Sequence, residues 1–153
     1  LQGAKLVHSL DSSKKAIEMT EEHVSLNKFG KKHASITADA MDYMKELKED
    51  YDIIILDPPA FAKHREKRHQ AIQGYKRLNA HAIRQIKPGG IIFTFSCSQV
   101  VDKQLFTHTI IAAAIETGRT VRILAQLHQG PDHPINAYHP EGEYLKGLVI
   151  QVD

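Results

Sequence analysis

Two short stretches carry side chains that could do chemistry. Cys97 is the single cysteine of the chain and stands in FTFSCSQ (93–99), just past an apolar run and between Ser96 and Ser98. A cysteine within an apolar run is usually a small buried hydrophobe, but a thiolate at a strand tip can attack an electron-poor ring carbon. The second stretch is DPPAF (57–61). Pro58 and Pro59 lack N–H donors and fix φ, so the loop is rigid and its carbonyls can face a ligand. With the Asp57 carboxylate and the flat ring of Phe61, they make a slot for a planar base, although a plain tight turn could use the same residues. Addition of a thiolate to C6 of cytosine would make the ring an enamine whose C5 can take an electrophilic methyl group. Asp57 could hold N3 or the exocyclic amine and stabilise the charge that develops. Methylation of an amine, on guanine N2 or adenine N6, would use Asp57 and the Pro58 carbonyl and would need no cysteine.

Asp11 and Asp39 also follow apolar runs. Aspartate is common there because it caps the next helix or starts a turn. Three such carboxylates on one rim would repel unless a ligand or donors satisfied them. Asp11 could accept from both hydroxyls of a ribose, and Asp39 from an adenine amino group. A dinucleotide and S-adenosylmethionine fit these roles equally well. No G-x-G-x-x-G is present, and Gly89-Gly90 precedes a strand and reads as a turn. KHREKRH (63–69), beginning at Lys63, is either a solvated loop or a contact to RNA phosphates, which would make binding salt-dependent. His128, Asp132, His133 and His139 lack the tight paired spacing of zinc ligands, so no metal is expected.

The elements that must position these groups alternate. Strand spacing covers 5–10, 34–37, 52–56, 91–96, 120–127 and 144–152; helical spacing covers 12–30, 40–49, 70–87 and 103–118. Ser12 or Ser13 can cap the first helix, Ala16, Ile17, Thr20 and Val24 share its inner face, and Gly30 would stop it. The run at 52–56 is apolar at every position from Ile53 to Leu56, which suits a strand covered on both faces. The last two strands are joined by residues 128–143 alone, too few for a parallel return, so an antiparallel hairpin at the sheet edge is expected. The order βαβαβαβαββ is that of an α/β, doubly wound, mostly parallel sheet, and its ligands lie beyond the carboxyl ends of the strands.

Composition bounds the rest. At 153 residues the chain is long enough for one domain with a core. No run approaches the ~18 apolar residues of a membrane span, and the first residues lack the order of a signal peptide. A net charge of +2 permits a nucleic-acid partner without requiring one. A single cysteine excludes an intrachain disulfide and fits a reducing, cytoplasmic setting. A homodimer is compatible with the sequence, which does not fix the oligomeric state.

The DPP motif resembles the fourth motif of class I S-adenosylmethionine-dependent methyltransferases. With VHSLDSSKKAIEMTEEHVSLN (7–27), DPPAFAK (57–63), FTFSCSQ (93–99) and GPDHPINAYHPEGEYLKGL (130–148), the chain resembles the 23S rRNA cytosine-C5 methyltransferases that carry an N-terminal PUA domain. The resemblance implies a Rossmann-like methyltransferase sheet, S-adenosylmethionine as cofactor and large-subunit rRNA as partner. It implies that Asp11 with Ser12, and Asp39 with Ala40, lie along the adenosyl half, with Asp57 at its reactive end. It implies Cys97 as nucleophile, Asp57 as its catalytic partner, and Pro58, Pro59, Phe61 and Lys63 against the substrate. The loop at 130–148 would be a flap near the substrate entrance. Two-cysteine relatives carry a further cysteine where Ala60 stands, so the helper that expels the nucleophile is missing and the base for the C5 proton is unassigned. Relatives also place a strand, a glycine-rich loop and a helix before the position of Lys5. Residues 1–153 are thus expected to be the C-terminal part of a methyltransferase domain, lacking its central strand and the PUA domain. Such a piece could also be non-catalytic.

Overall fold

The structure, a computed structural model, describes residues 3–47, 50–62 and 64–153. The chain divides into two units, Leu1–Glu46 and Leu47–Asp153.

The first unit holds β1 (Val7–Asp11), α1 (Lys14–Leu26), β2 (His33–Thr37) and the single turn α2 (Ala40–Tyr43). β1 and β2 pair in parallel, with Val7 opposite His33 and Asp11 opposite Thr37. Ser13 caps α1, its hydroxyl accepting from the Ala16 amide at 3.3 Å. The expected inner face is present: Ile17 is buried, and Ala16, Thr20 and Val24 are half-buried. The expected stop at Gly30 is corrected. Asn27 ends the helix and Lys28 takes a left-handed φ of 58°, the turn-off usually left to glycine. Gly30 instead opens a 3₁₀ turn, Gly30–Lys32. The helix expected at 40–49 is regular only over Ala40–Tyr43, and Lys48 and Glu49 lie outside the described residues.

The second unit holds β3 (Ile53–Leu56), α3 (Arg68–Gln85), β4 (Gly90–Ser96), α4 (Lys103–Thr117), β5 (Val121–His128) and β6 (Lys146–Val152). Its sheet runs β3-β4-β6-β5. β3 and β4 are parallel, while β6 is antiparallel to both β4 and β5, so the expected terminal hairpin is present with β5 at the edge. Register aligns Ile54, Ile92 and Ile150 in one buried row and Leu56, Thr94 and Leu148 in the next. α3 and α4 pack side by side, and Tyr75 meets Phe106 edge-on at 5.6 Å. Arg119 closes the end of α3 by donating to the Ile83 carbonyl at 2.7 Å and the Ile86 carbonyl at 2.6 Å. Gly89, at φ 78°, makes the turn into β4.

The expectation that β3 is covered on both faces is corrected. Ile54 and Leu56 are buried, but Ile53 is 55% and Ile55 67% exposed. Alternate residues of a strand point to opposite faces, so only one face of β3 has apolar partners here. Its outer edge is also unpaired among the described residues. Among the described residues, no helix is long and apolar enough to cross a membrane.

Candidate functional site

Two strand ends in the second unit carry the candidate chemistry. β3 and β4 are parallel neighbours, with Leu56 opposite Thr94. Asp57 therefore leaves one strand tip and Cys97 the adjacent one, the sequence-expected pairing. Asp57 is exposed and Cys97 half-exposed, and neither side chain has a protein hydrogen-bond partner among the described residues.

The loops that hold these two groups are, by contrast, tied down. Ser98 is buried, and its hydroxyl donates to the Ala62 carbonyl at 2.7 Å, joining the loop after β4 to the loop after β3. The Ser98 amide also donates to the Ser96 hydroxyl at 3.3 Å. Beneath the DPPAF loop, the Phe61 ring lies 4.6 Å from the ring of Tyr75. Gly74 allows this approach, since a Cβ there would stand 3.0 Å from Phe61 Cδ2. One face of Phe61 is thus committed to packing, and the ring stays half-exposed. Pro58 is half-buried and Pro59 exposed; Lys63 lies outside the described residues.

Sequence reasoning missed two residues. Tyr75 has no exposed surface, and its hydroxyl lies near Ser96 and the Phe61 backbone without a hydrogen bond of good geometry. Burial pushes its phenol above the ordinary range, and the nearby negative forms of Cys97 and Asp57 push it further. Its helical spacing marked it only as core. Lys146 is 5% exposed, and its ammonium donates to the carbonyls of Ser98 and Val101, both at 2.6 Å. The signal for it was a lysine directly before the apolar run Gly147–Ile150.

In the first unit, Asp11 and Asp39 both cap local structure. Asp11 Oδ1 accepts from the Ser13 amide at 2.7 Å, and Asp39 Oδ1 accepts from the Asp42 amide at 3.1 Å as N-cap of α2. One oxygen of each stays free among the described residues, at the carboxyl ends of two adjacent parallel strands. Free acceptors of this kind suit ribose hydroxyls and an adenine amine. Ser12 is exposed and Ala40 opens α2.

The basic run is less loop-like than expected. Arg65–Lys67 form a 3₁₀ turn and Arg68 begins α3, so Arg65, Lys67 and Arg68 are exposed on an ordered helix entrance. The histidines of the C-terminal loop are dispersed: His128 bonds the Gln129 carbonyl, His133 meets Asp132 and His139 meets Glu141. Among the described residues no three potential metal ligands gather. The buried Gln129 side chain donates to the Gly142 carbonyl at 2.7 Å and so joins the two ends of the loop expected as a flap.

Comparison with known proteins agrees with this architecture. The family described as Conserved hypothetical protein 95 matches residues 2–114. Ribosomal RNA large subunit methyltransferase I of Alteromonas mediterranea is 40% identical over 154 residues, covering 98% of this chain and 39% of the relative. The protein of the same name from Citrobacter koseri is 37% identical with the same coverage. The chain therefore spans about two-fifths of the length of these relatives. Among solved structures, SMU.776 complexed with SAH superposes with a TM-score of 0.83 at 24% identity, covering 98% of this chain and 40% of that one. WT Trm5b from Pyrococcus abyssi gives a TM-score of 0.68 at 22% identity, covering 97% and 38%. At these identities the superpositions establish the Rossmann-like methyltransferase fold.

Proposed function

Since the chain belongs to the Conserved hypothetical protein 95 family and is homologous to S-adenosylmethionine-dependent rRNA methyltransferases, we propose that it methylates C5 of cytosine in large-subunit rRNA, with Cys97 as nucleophile. The observation that carries this reading is the pair of adjacent strand tips presenting Asp57 and Cys97, both unpartnered, from loops tied by Ser98 and Ala62. In the proposed reaction, Cys97 Sγ as thiolate adds to C6 of the cytosine, and the electron pair moves to C5. Asp57 holds the edge of the base at its exocyclic amine or N3, and so orients the ring. Bound S-adenosylmethionine supplies an electrophilic methyl group on a sulfonium. After C5 is methylated, transfer of the C5 proton to water or another base re-forms the C5–C6 double bond as the C6–S bond breaks and releases the Cys97 thiolate. Pro58, Pro59 and the open face of Phe61 flank the base, and Lys63 with Arg65, Lys67 and Arg68 meets the RNA backbone. Asp11 with Ser12, and Asp39 with Ala40, would hold the adenosyl half through the free carboxylate oxygens.

The proposal includes a longer protein. The unpaired edge of β3 supports a further strand at that edge, contributed with the glycine-rich loop by a segment outside these 153 residues, and the exposed Ile53 and Ile55 support an apolar element packed on the open face. The test is nucleoside analysis of rRNA methylated by the full-length gene product. The expected product is 5-methylcytidine, with activity lowered at least about a thousandfold by Cys97→Ser. Normal activity in Cys97→Ser, or a methyl group on an exocyclic amine, would transfer the reading to an amine methyltransferase. No activity in the wild type would favour a non-catalytic protein.

A further inference from the structure

We propose that Lys146 is a positioning residue for Cys97: its buried ammonium clamps the turn that follows the cysteine and sets a fixed positive charge beside the sulfur. The proposal rests on the nucleophile assigned above, and its test requires no RNA.

The geometry is local. Lys146 opens β6 directly opposite Ser96, the residue before Cys97, and cross-strand partners share a face. From there its Nζ reaches past the strand end to the Ser98 and Val101 carbonyls, the first of which belongs to the residue after Cys97. Lys146 is thus anchored by its backbone opposite the residue before Cys97 and by its ammonium on the turn after it. A buried ammonium costs several kcal/mol unless acceptors replace its water. A side chain needed only to fill this space would be apolar at lower cost. Two carbonyls satisfy two of the three N–H donors, and the third remains for an anion. Burial lowers the proton affinity of this amine, and the negative form of Cys97 is the largest charge acting against that, followed by Asp102.

The surroundings supply few rivals. Tyr75, on α3, packs against Phe61 and Phe106, and burial keeps its phenol neutral well beyond physiological pH. Asp57 stands at the end of β3. Asp102 caps α4 through the Leu105 amide at 2.8 Å, and Lys103 is paired with Glu143, which in turn lies near His128. Lys146 is therefore the cation whose bonds hold it at the cysteine turn.

The test uses the presence of a single cysteine, which makes thiol alkylation a report on one site. Iodoacetamide rates would be measured against pH for this chain and for Lys146→Met, Lys146→Gln, Lys146→Arg and Ser98→Ala, with circular dichroism as the folding control. Loss of the charge in Met or Gln is expected to move the rate profile to higher pH and to slow alkylation about tenfold at neutral pH. Arg should restore the wild-type midpoint. Ser98→Ala, which loosens the same turn without changing charge, should leave the midpoint unmoved. A folded Met or Gln variant with the wild-type midpoint, or an equal shift in Ser98→Ala, would overturn the proposal. A reciprocal measurement covers variants that do not fold: in the wild type, blocking Cys97 with iodoacetamide should lower the pH at which the Lys146 Cε resonance titrates. An unchanged Lys146 titration would overturn the coupling while leaving the nucleophile assignment standing.

Discussion

The two units end their strands on similar groups and use them differently. In Leu1–Glu46, Asp11 and Asp39 each accept from a nearby amide with one oxygen, so the acids shape their own loops and leave one oxygen free among the described residues. In Leu47–Asp153, the side chains of Asp57 and Cys97 have no hydrogen-bond partner among the described residues, and the loops are shaped by Ser98 on Ala62, Lys146 on two carbonyls, and Phe61 on Tyr75. The contrast separates two tasks. A group that only accepts from a ligand can also serve as a cap. A group that must form and break a bond is best left without structural duty, on a loop fixed by its neighbours.

The cores differ in the same direction. Among the described residues, the buried apolar side chains of the first unit are Ile17 and Met44. The second unit buries Tyr75, Phe106, Ile92, Ile150 and Val152 almost completely. Phe106→Ala should therefore have the largest effect, about 3–5 kcal/mol in urea unfolding followed by far-UV circular dichroism. Ile17→Ala should cost about 2 kcal/mol, the low end for a core isoleucine, because Ile17 and Met44 make up the buried apolar core of its unit among the described residues. Equal losses at the two positions would break the comparison.

A smaller effect sharpens it. The Tyr75 hydroxyl is buried without a good partner, so Tyr75→Phe should change stability by less than about 1 kcal/mol at neutral pH, in either direction. Alkaline pH should separate the two proteins. Tyr75 binds its proton more tightly in the folded chain than in the unfolded one. Its contribution is then complete below the ordinary tyrosine range and lost as pH rises through that range towards the folded value. The wild type should lose this increment above about pH 10, and Tyr75→Phe should not. In a phenolate absorbance titration, one of the five tyrosines should ionise last and disappear in the variant. Simultaneous ionisation of all five in the folded chain would contradict the burial argument.

Much of this was legible in the residues. β4 and α4 fall within one residue of expectation because strong local signals bound them, a Pro-Gly-Gly turn at the start of β4 and a clear helical spacing over α4, which the structure shows capped by Asp102. The nearness of Asp57 and Cys97 followed from reading two successive strands as parallel neighbours. The end of α1 was not legible, because a lysine gives no sign that it will adopt a left-handed φ. The covering of β3 was misread for another reason. An apolar run states that both faces want partners, and only one face has them within the second unit. The Lys146 clamp was hidden because its acceptors are backbone carbonyls 48 and 45 residues away, which carry no side-chain signal. Tyr75 was hidden because a helix periodicity cannot distinguish a core ring from one placed under a site.

The decisive measurement is mass spectrometry of the full-length gene product after incubation with S-adenosylmethionine and RNA containing 5-fluorocytosine, whose C5 fluorine cannot leave as a proton does. A thiolate mechanism predicts a stable protein–RNA adduct that maps to the peptide containing Cys97 and is lost in Cys97→Ser. An active enzyme that forms no adduct, or forms one elsewhere, would contradict it.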